Sequence, residues 1–172
     1  MLIKLDAINL KTVPYSDSSL IVIVFSKELG KQSLLAKGVK KSKRSYGGKL
    51  QSFMHNIYTV SKKTGMAFIT SVDTINPYIQ ISTNINKLSC AYECLAITYH
   101  TGQFNNPNPG IFDLTLKTLE QIEKAEKAQL ALILENFKKQ ILFIEGILPR
   151  DEKKYNMDNL INQYIEHDLV KF

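Results

Sequence analysis

The chain of 172 residues contains no tryptophan, two cysteines and no long hydrophobic segment. Its longest apolar run, Leu20–Phe25, is far shorter than the roughly 18 residues that a membrane-spanning helix needs, so we expect a soluble protein. Lys4 and Asp6 interrupt the apolar start, which argues against a secretory signal peptide there. Cys90 and Cys94 are too close in sequence to staple distant segments, which favours a reducing, cytoplasmic compartment.

Recognisable catalytic motifs are also missing. Gly48-Lys49 resembles the end of a phosphate-binding loop, but Lys43 and Leu50 stand where that motif requires a glycine and a hydroxyl residue. There is no G-x-S-x-G segment, and no metal-binding or carboxylate motif accompanies the three scattered histidines, His55, His100 and His167. We therefore expect a protein that is not an enzyme and that needs no cofactor.

The cysteines do not predict a metal site. Cys90 and Cys94 share one face of a predicted helix, but His100 points about 240° round that helix from Cys94 at ~100° per residue. A set of three ligands does not form locally, and two small buried hydrophobic residues are the simpler interpretation. We expect no bound metal.

Positive charge is concentrated in one short segment. Residues 37–49, KGVKKSKRSYGGK, carry six cations, three glycines, one tyrosine and no acid. Such a segment can place its cations along a phosphate backbone, while its glycines let the main chain approach closely. Nucleic acid is therefore the first partner to consider. The alternative is a solvated surface loop whose charge serves solubility.

The rest of the chain shows the same asymmetry of charge. Residues 1–80 hold 12 Lys and Arg against 4 Asp and Glu, a net of +8, and residues 81–172 hold 10 against 12, a net of −2. The two values sum to the net charge of +6 for the whole chain. The basic character therefore belongs to the N-terminal half.

The N-terminal half has the pattern of short strands separated by turns. The five candidate strands are Leu2–Lys11, Ser19–Ser26, Gln32–Lys37, Leu50–Ser61 and Met66–Ile75. Five strands are too few for a sandwich and match the number in an OB-fold, a small barrel that commonly binds single strands. We predict an OB-fold nucleic-acid-binding domain over residues 1–78.

After Asn76-Pro77 the apolar residues follow a helical period. The predicted helices are Ser82–Tyr99, Gly110–Ile122, Lys127–Glu145 and a last one that starts near Asn156 or Asp158. Residues 102–109 read as a loop. We predict an α+β protein, in which a helical bundle over residues 79–172 follows the five-stranded barrel.

Three segments of the chain resemble the opening of the bacterial recombination mediator RecO. They are LKTVPYSDSSL at 10–20, FSKELGK at 25–31 and AKGVKKSKRSYGGKLQ at 36–51, in one order and at one spacing. Similarity to the helical region of the family continues at residues 76–78, 88–92 and 112–119, so that it covers about residues 1–148.

The resemblance implies an OB-fold, a helical C-terminal domain and a role without catalysis. Members of the family bind single- and double-stranded DNA, anneal complementary strands, contact the single-strand-binding protein SSB, and act with RecR to load RecA. By this resemblance we expect a cytoplasmic, nucleoid-associated protein, monomeric on its own. The expected DNA contacts are Lys37, Lys40, Lys41, Lys43, Arg44 and Lys49, with Tyr46 as a stacking residue and Lys11, Lys31, Lys62 and Lys63 extending the patch.

One feature departs from the family pattern. Many members carry a four-cysteine zinc module after the segment that Glu145–Pro149 resembles, whereas this chain has no cysteine beyond Cys94. We expect a short version without zinc. An apolar groove bordered by cations is expected to receive the acidic, apolar-ended SSB tail. Lys138, Lys139 and Arg150 are candidates for its rim, and ordinary helix-surface charge is the alternative.

Two other classes of function stay open at this point. An RNA-binding OB-fold protein of translation or ribosome assembly would prefer structured RNA to single-stranded DNA. An enzyme with an unrecognised site would show a deep pocket with titratable groups within hydrogen-bonding reach.

Overall fold

The structure is a computed structural model, and it describes residues 2–39, 46–61, 65–147 and 156–169. The chain divides into two compact units. One comprises Met1–Tyr78 with Gly102–Phe112, and the other comprises Ile79–Thr101 with Asp113–Phe172. The domain boundary after residue 78 stays a prediction, to which the structure adds that residues 102–112 group with the strands.

Five strands form a closed barrel in the first unit. They are β1 (Leu2–Pro14), β2 (Leu20–Ser26), β3 (Gly30–Ala36), β4 (His55–Ser61) and β5 (Ala67–Asn76). The order round the barrel is β1-β2-β3-β5-β4, with antiparallel pairs except for a short parallel contact of β3 with β5. This architecture confirms the predicted OB-fold class.

Alternating apolar side chains fill the barrel, as the period of two in a strand requires. The buried cluster consists of Leu5, Ala7, Val22, Val24, Leu34, Ala36, Leu50, Tyr58, Val60, Ala67, Ile69 and Val72. Strands β2 and β3 are buried on almost every residue, which means that their outer face is covered as well. Part of that cover is Phe112, whose ring centroid lies 6.4 Å from that of Phe25.

A 3₁₀ turn closes one end of the barrel. It spans Gly47–Leu50 and places Leu50 in the core cluster. The prediction of a strand from Leu50 is therefore wrong for its first residues, because β4 begins only at His55. Phe53 turns the chain between the two elements with a left-handed φ of 70°, and its N–H donates to the carbonyl of Asn9 at 3.0 Å.

A buried polar network holds this turn in place. The amide of Asn9 donates to the carbonyl oxygens of Lys49 at 2.9 Å and Gln51 at 2.8 Å, and the amide of Asn56 donates to Lys49 at 2.8 Å. The Tyr58 hydroxyl donates to Asn9 Oδ1 at 2.6 Å. Burial raises the pKa of Tyr58, so this hydroxyl stays protonated and remains a donor.

One edge of β3 pairs with β2, and its other edge is shared between two partners. β5 pairs with it only at Leu34 and Leu35. Further along, the N–H of Lys31 donates to Gln103 O at 3.0 Å, and the N–H of Asn105 donates to Lys31 O at 3.3 Å. Residues 102–109, read from the sequence as a loop, thus include a short stretch that extends the sheet.

The described residues of the second unit are mainly helical. The bounds are α1 (Ile79–Thr83), α2 (Ile85–Thr101), α3 (Pro109–Lys124), α4 (Leu130–Ile144) and α5 (Met157–Leu169), and residues 109–112 of α3 group with the strands. The four predicted helices are confirmed, and the short α1 is an addition. Both carboxylate oxygens of Glu123 accept N–H bonds at the start of α1, from Gln80 at 3.0 Å and Ile81 at 2.9 Å, so a tertiary contact caps it.

An ion cluster joins three of these helices. Lys138 on α4 is buried, and its ammonium lies 2.5 Å from Glu93 Oε1 on α2 and 2.6 Å from Asp158 Oδ1 on α5. Burial by itself lowers the pKa of Lys138, but the hydrogen bonds to Asp158 and Glu93 outweigh it and the pKa is raised. None of the helices in the described ranges has the length and apolar character needed to cross a bilayer.

We expect Gly30→Ala to destabilise the barrel strongly. Gly30 has a φ of +70°. A Cβ atom added there would lie 2.6 Å from the carbonyl carbon of Asn106 and 2.9 Å from Gln103 O, so it would collide with both backbone groups. Backbone atoms cannot move aside cheaply, so the collision should cost about 1–3 kcal/mol beyond the ~1 kcal/mol of left-handed strain. Urea unfolding measures the change.

Gly65→Ala is the matched control, because Gly65 has a φ of +80° and nothing within 4 Å of the added Cβ. We expect the free energy of unfolding of this variant to fall only by the strain of the left-handed backbone. Equal destabilisation of the two variants would contradict the packing of residues 103–106 against β3.

We expect Asn9→Ala to lower the free energy of unfolding by about 2 kcal/mol. The change removes the amide that donates to the Gln51 carbonyl and the acceptor of the buried Tyr58 hydroxyl, which keeps only the Asn56 amide as a donor to it. Asn86→Ala on the exposed surface of α2 is the control and should stay within about 0.5 kcal/mol of the parent. A loss no larger than that of the control would show that the network is not stabilising.

Candidate nucleic-acid interface

Three predicted cations lie along the outer face of β1, β2 and β3, with Lys31 and Lys37 at opposite ends of β3. Lys11 is the Cα partner of Ile23, and Ile23 is in turn the partner of Ser33. Directly paired residues project to the same side of a sheet, and so do residues two apart along a strand. Lys11 and Lys31 therefore share this outer face, and Lys37 follows directly where β3 ends.

A β-bulge brings Lys11 to this face. The register of β1 against β2 shifts between Asn9, which pairs with Val24, and Lys11, which pairs with Ile23. An extra residue in one strand reverses the alternation beyond it. In an unbroken register Lys11 would oppose the core residue Val22, so the bulge is what turns this cation outward.

Lys31 is held against an aromatic ring. Its Nζ lies 4.8 Å from the centroid of Phe104, and the residue is only 8% exposed. Burial lowers the pKa of Lys31, and the positive charge of Lys11 lowers it further. The two ammonium groups are thus close enough to repel each other, and an anion bound beside them relieves that repulsion.

The two basic segments, residues 37–49 and the pair Lys62 and Lys63, begin at the same end of the barrel. The Nζ of Lys37 lies 4.1 Å from the ring centroid of Phe68. Phe68 is the Cα partner of Leu35 on β3 and of Ser61 on β4. The chain leaves β3 into residues 37–49 and leaves β4 into the segment that precedes β5, so both departures lie beside Phe68.

Tyr46 and Lys49, at the far end of the first basic segment, bond back to the barrel. The half-buried Tyr46 donates its hydroxyl to Ile69 O at 3.3 Å and packs against the core cluster. The exposed Lys49 donates from Nζ to Val72 O at 3.0 Å. A stacking role for Tyr46 and a phosphate contact for Lys49 stay predictions, and each role would exchange one of these bonds for a ligand.

The remaining predicted contacts are not placed by the structure. Those that lie outside the described residues are Lys40, Lys41, Lys43, Arg44, Lys62 and Lys63.

Two acids of the barrel lie away from the end marked by Lys37. Asp6 Oδ1 is 2.6 Å from His55 Nε2, and the Glu28 carboxylate accepts the N–H of Asp6 at 3.1 Å. This cluster adjoins Ser26, six residues and about 20 Å along β2 from the Leu20 end, where Ala36 is paired. Ser26 is also the partner of Gly30, so the cluster is at the end of β3 that carries Lys31. Asp17 is an exposed acid in the turn between β1 and β2, at the Leu20 end.

Sequence reasoning missed the aromatic side chains of this face. Phe104 is 52% exposed and belongs to the connection between α2 and α3, where no local pattern indicates a return to the barrel. Phe68 lies in a predicted strand, but its position beside Lys37 depends on the pairing of β3 with β5. In both cases the position of the ring depends on a long-range contact, which no local sequence motif indicates.

A groove of about 490 Å³ lies between α3 and α4 in the helical unit. Apolar side chains of Leu132, Ile133 and Phe137 line it together with Lys117 and Lys124. Leu132 is 61% exposed, which is unusual for a leucine on a packed helix. The groove therefore combines an apolar floor with positive charge.

The structure corrects one of the three proposed rim residues of such a groove, Lys138, and leaves the other two as predictions. Lys138 is buried, and its ammonium is already bonded to Glu93 and Asp158, so it is not an exposed cation awaiting a partner's carboxylate. Lys139 takes part in another interaction, and Arg150 lies outside the described residues.

Cys90 and Cys94 are both buried on α2, in agreement with the interpretation as small hydrophobic residues. Burial raises the pKa of Cys90 to about 11, with a further increase from the charge of Glu93. Burial also raises the pKa of Cys94, so both thiols are poor metal ligands and poor nucleophiles. Within the part of the chain that the structure describes, no three His, Cys, Asp or Glu side chains cluster as metal ligands would.

Comparison with known proteins matches both halves of the chain to one family. The model for "Recombination protein O N terminal" matches residues 1–78, and that for "Recombination protein O C terminal" matches residues 82–164. Among similar curated proteins, the DNA repair protein RecO of Trichodesmium erythraeum is 29% identical over 156 residues, covering 87% of this chain and 54% of that protein.

Two further relatives carry the same name. The protein of Macrococcus caseolyticus is 30% identical over 149 residues, covering 87% of this chain and 58% of the relative. The protein of an Exiguobacterium species is 26% identical over 149 residues, with 87% and 59% covered. The chain thus spans little more than half the length of these relatives. With both family models matched in order on a five-stranded barrel and a following helical unit, the chain belongs to the RecO family.

Proposed function

We propose that this protein binds DNA in repair and recombination, and that it does so through the outer face of β1, β2 and β3. The supporting observation is the shared position of Lys11, Lys31 and Lys37 on or beside that face, with the rings of Phe104 and Phe68 against two of them. Its relatives are named DNA repair proteins, which agrees with this partner.

The proposed mechanism is electrostatic. Cations along the face and in the two basic segments neutralise phosphates of single or double strands and release the counterions condensed on them. A surface that screens two backbones at once lets complementary strands approach and pair. Annealing of this kind makes and breaks no covalent bond, so the proposed role is that of a mediator and not of an enzyme.

The proposed partners follow from family membership. We propose that the protein acts with RecR to load the recombinase onto strands coated with SSB. The groove between α3 and α4 suits the acidic, apolar-ended tail of SSB, because Leu132 and Phe137 offer apolar contact and Lys117 and Lys124 offer charge. A chain with these partners would work in the cytoplasm at the nucleoid.

We expect that changing Lys40, Lys41, Lys43 and Arg44 together to Ala weakens DNA binding and flattens its salt dependence. Each lost phosphate contact should reduce the log–log slope by about 0.7 on single strands. Titrations of a labelled oligonucleotide at several salt concentrations measure both effects.

The control changes Lys40, Lys41 and Lys43 to Arg, which keeps the charge and should keep the slope. An unchanged slope in the alanine variant would reject this segment as the contact. Stronger binding of structured RNA than of single-stranded DNA by the parent protein would instead favour the ribosome-assembly alternative.

We expect a labelled peptide with the SSB tail sequence to bind saturably, and Lys117→Glu with Lys124→Glu to weaken it about tenfold. Reversing charge at the groove repels the carboxylates of the tail, whereas Lys4→Glu with Lys11→Glu makes the same net change on β1, outside the lining residues. Fluorescence anisotropy follows the titration. Equal weakening by both pairs would show a general charge effect and remove the groove from the proposal.

A further inference from the structure

The connection between α2 and α3 brings an aromatic side chain to the candidate DNA face. Residues 103–105 bond to the backbone of Lys31, and the Gln32 amide donates to Asn105 Oδ1 at 3.1 Å. Gly30 permits this approach, because the Asn106 carbonyl occupies the place of its missing Cβ. Phe104 therefore stands on a held backbone and not on the tip of a loose loop.

Phe104 is unusually exposed for a phenylalanine so anchored. Its side chain is 52% exposed, although Lys31 beside it is only 8% exposed. The Lys31 ammonium lies 4.8 Å from the ring centroid, and the repulsion from Lys11 favours an anion at the same place. An apolar ring and a cation pair thus lie next to each other at one site.

A nucleotide presents the matching pair of groups, a base with a flat π-face and a phosphate. We propose that Phe104 is a stacking platform for one unpaired base of bound DNA, while Lys31 and Lys11 take the adjoining phosphate. The proposal rests on the proposed DNA-binding function and adds a preference to it. In a duplex both faces of each base are already stacked on neighbours, so the ring contributes only to single strands.

Removal of the Phe104 ring should have a measurable effect on affinity. Stacking of a base on an aromatic side chain changes affinity by about 5- to 150-fold when the ring is removed. The backbone on either side of the ring is held by its bonds to Lys31, and the ring lies against the Lys31 ammonium, so less conformational entropy is lost on binding than on a loose loop.

The experiment uses the absence of tryptophan from the chain. Phe104→Trp introduces a single indole at the site, and Tyr92→Trp introduces one at an equally exposed position on α2, since Tyr92 is also 52% exposed. We expect single-stranded oligo(dT) to quench the fluorescence of the Phe104→Trp variant strongly, and a matched duplex to quench it weakly. Little quenching of the Tyr92→Trp variant is expected with either DNA. Equal quenching of the two variants by single strands would overturn the proposal.

Two further variants measure affinity. We expect Phe104→Ala to bind single strands about 5- to 150-fold more weakly, with duplex affinity and salt slope unchanged because no cation is lost. Phe104→Leu keeps apolar volume without the flat ring, and should lose affinity in the same way, even if the alanine variant fails to fold.

The outcomes separate the two proposals. If the parent binds DNA and Phe104→Leu binds single strands equally well, stacking is refuted and the DNA-binding function stands. Parallel losses on single strands and duplex would mean that Phe104 only supports the barrel, which also refutes stacking. If the parent binds no DNA at all, both proposals fall.

Discussion

The structure of the first unit depends on how the second edge of β3 is satisfied. Backbone N–H and C=O groups need partners once they are removed from water, and β5 supplies them only at Leu34 and Leu35. Residues 103–105 supply them at Lys31, and Gly30 leaves room for that segment. The placement of Phe104 and the burial of Lys31 follow from this single pairing.

The same pairing sets the electrostatics of the candidate interface. A lysine that is buried beside a ring and close to another lysine is less well hydrated than one on an open surface, and its pKa is lowered accordingly. Lys37 also lies over a ring, that of Phe68, but it is exposed at the end of the barrel. A cation such as Lys31, which has already lost part of its hydration, has less to lose when a phosphate binds, so it can matter more than the net charge suggests.

Charge in the helical unit is used differently. Lys138 binds two carboxylates from other helices, and its raised pKa shows that these bonds outweigh the cost of burial. The contribution of the Lys138 ammonium is present at neutral pH and is lost as the pH rises through its raised pKa. Lys117 and Lys124 are left to line the groove between α3 and α4. Similar lysines on one bundle therefore serve stability in one place and present charge in another.

The amino-acid sequence alone determined the class of the fold, since alternation of apolar residues fixes strands and a period of 3.6 fixes helices, and both are local properties. It also located the basic segment and, through three motifs, the family. It could not show that Lys11 faces outward, because that depends on a bulge measured against β2. Nor could it show that Leu50 enters the core or that Lys138 is buried, since burial is decided by elements distant in the chain. Only the tertiary structure decided that Phe104 joins the barrel, because backbone pairing between residues more than 70 positions apart leaves no periodic trace in the sequence.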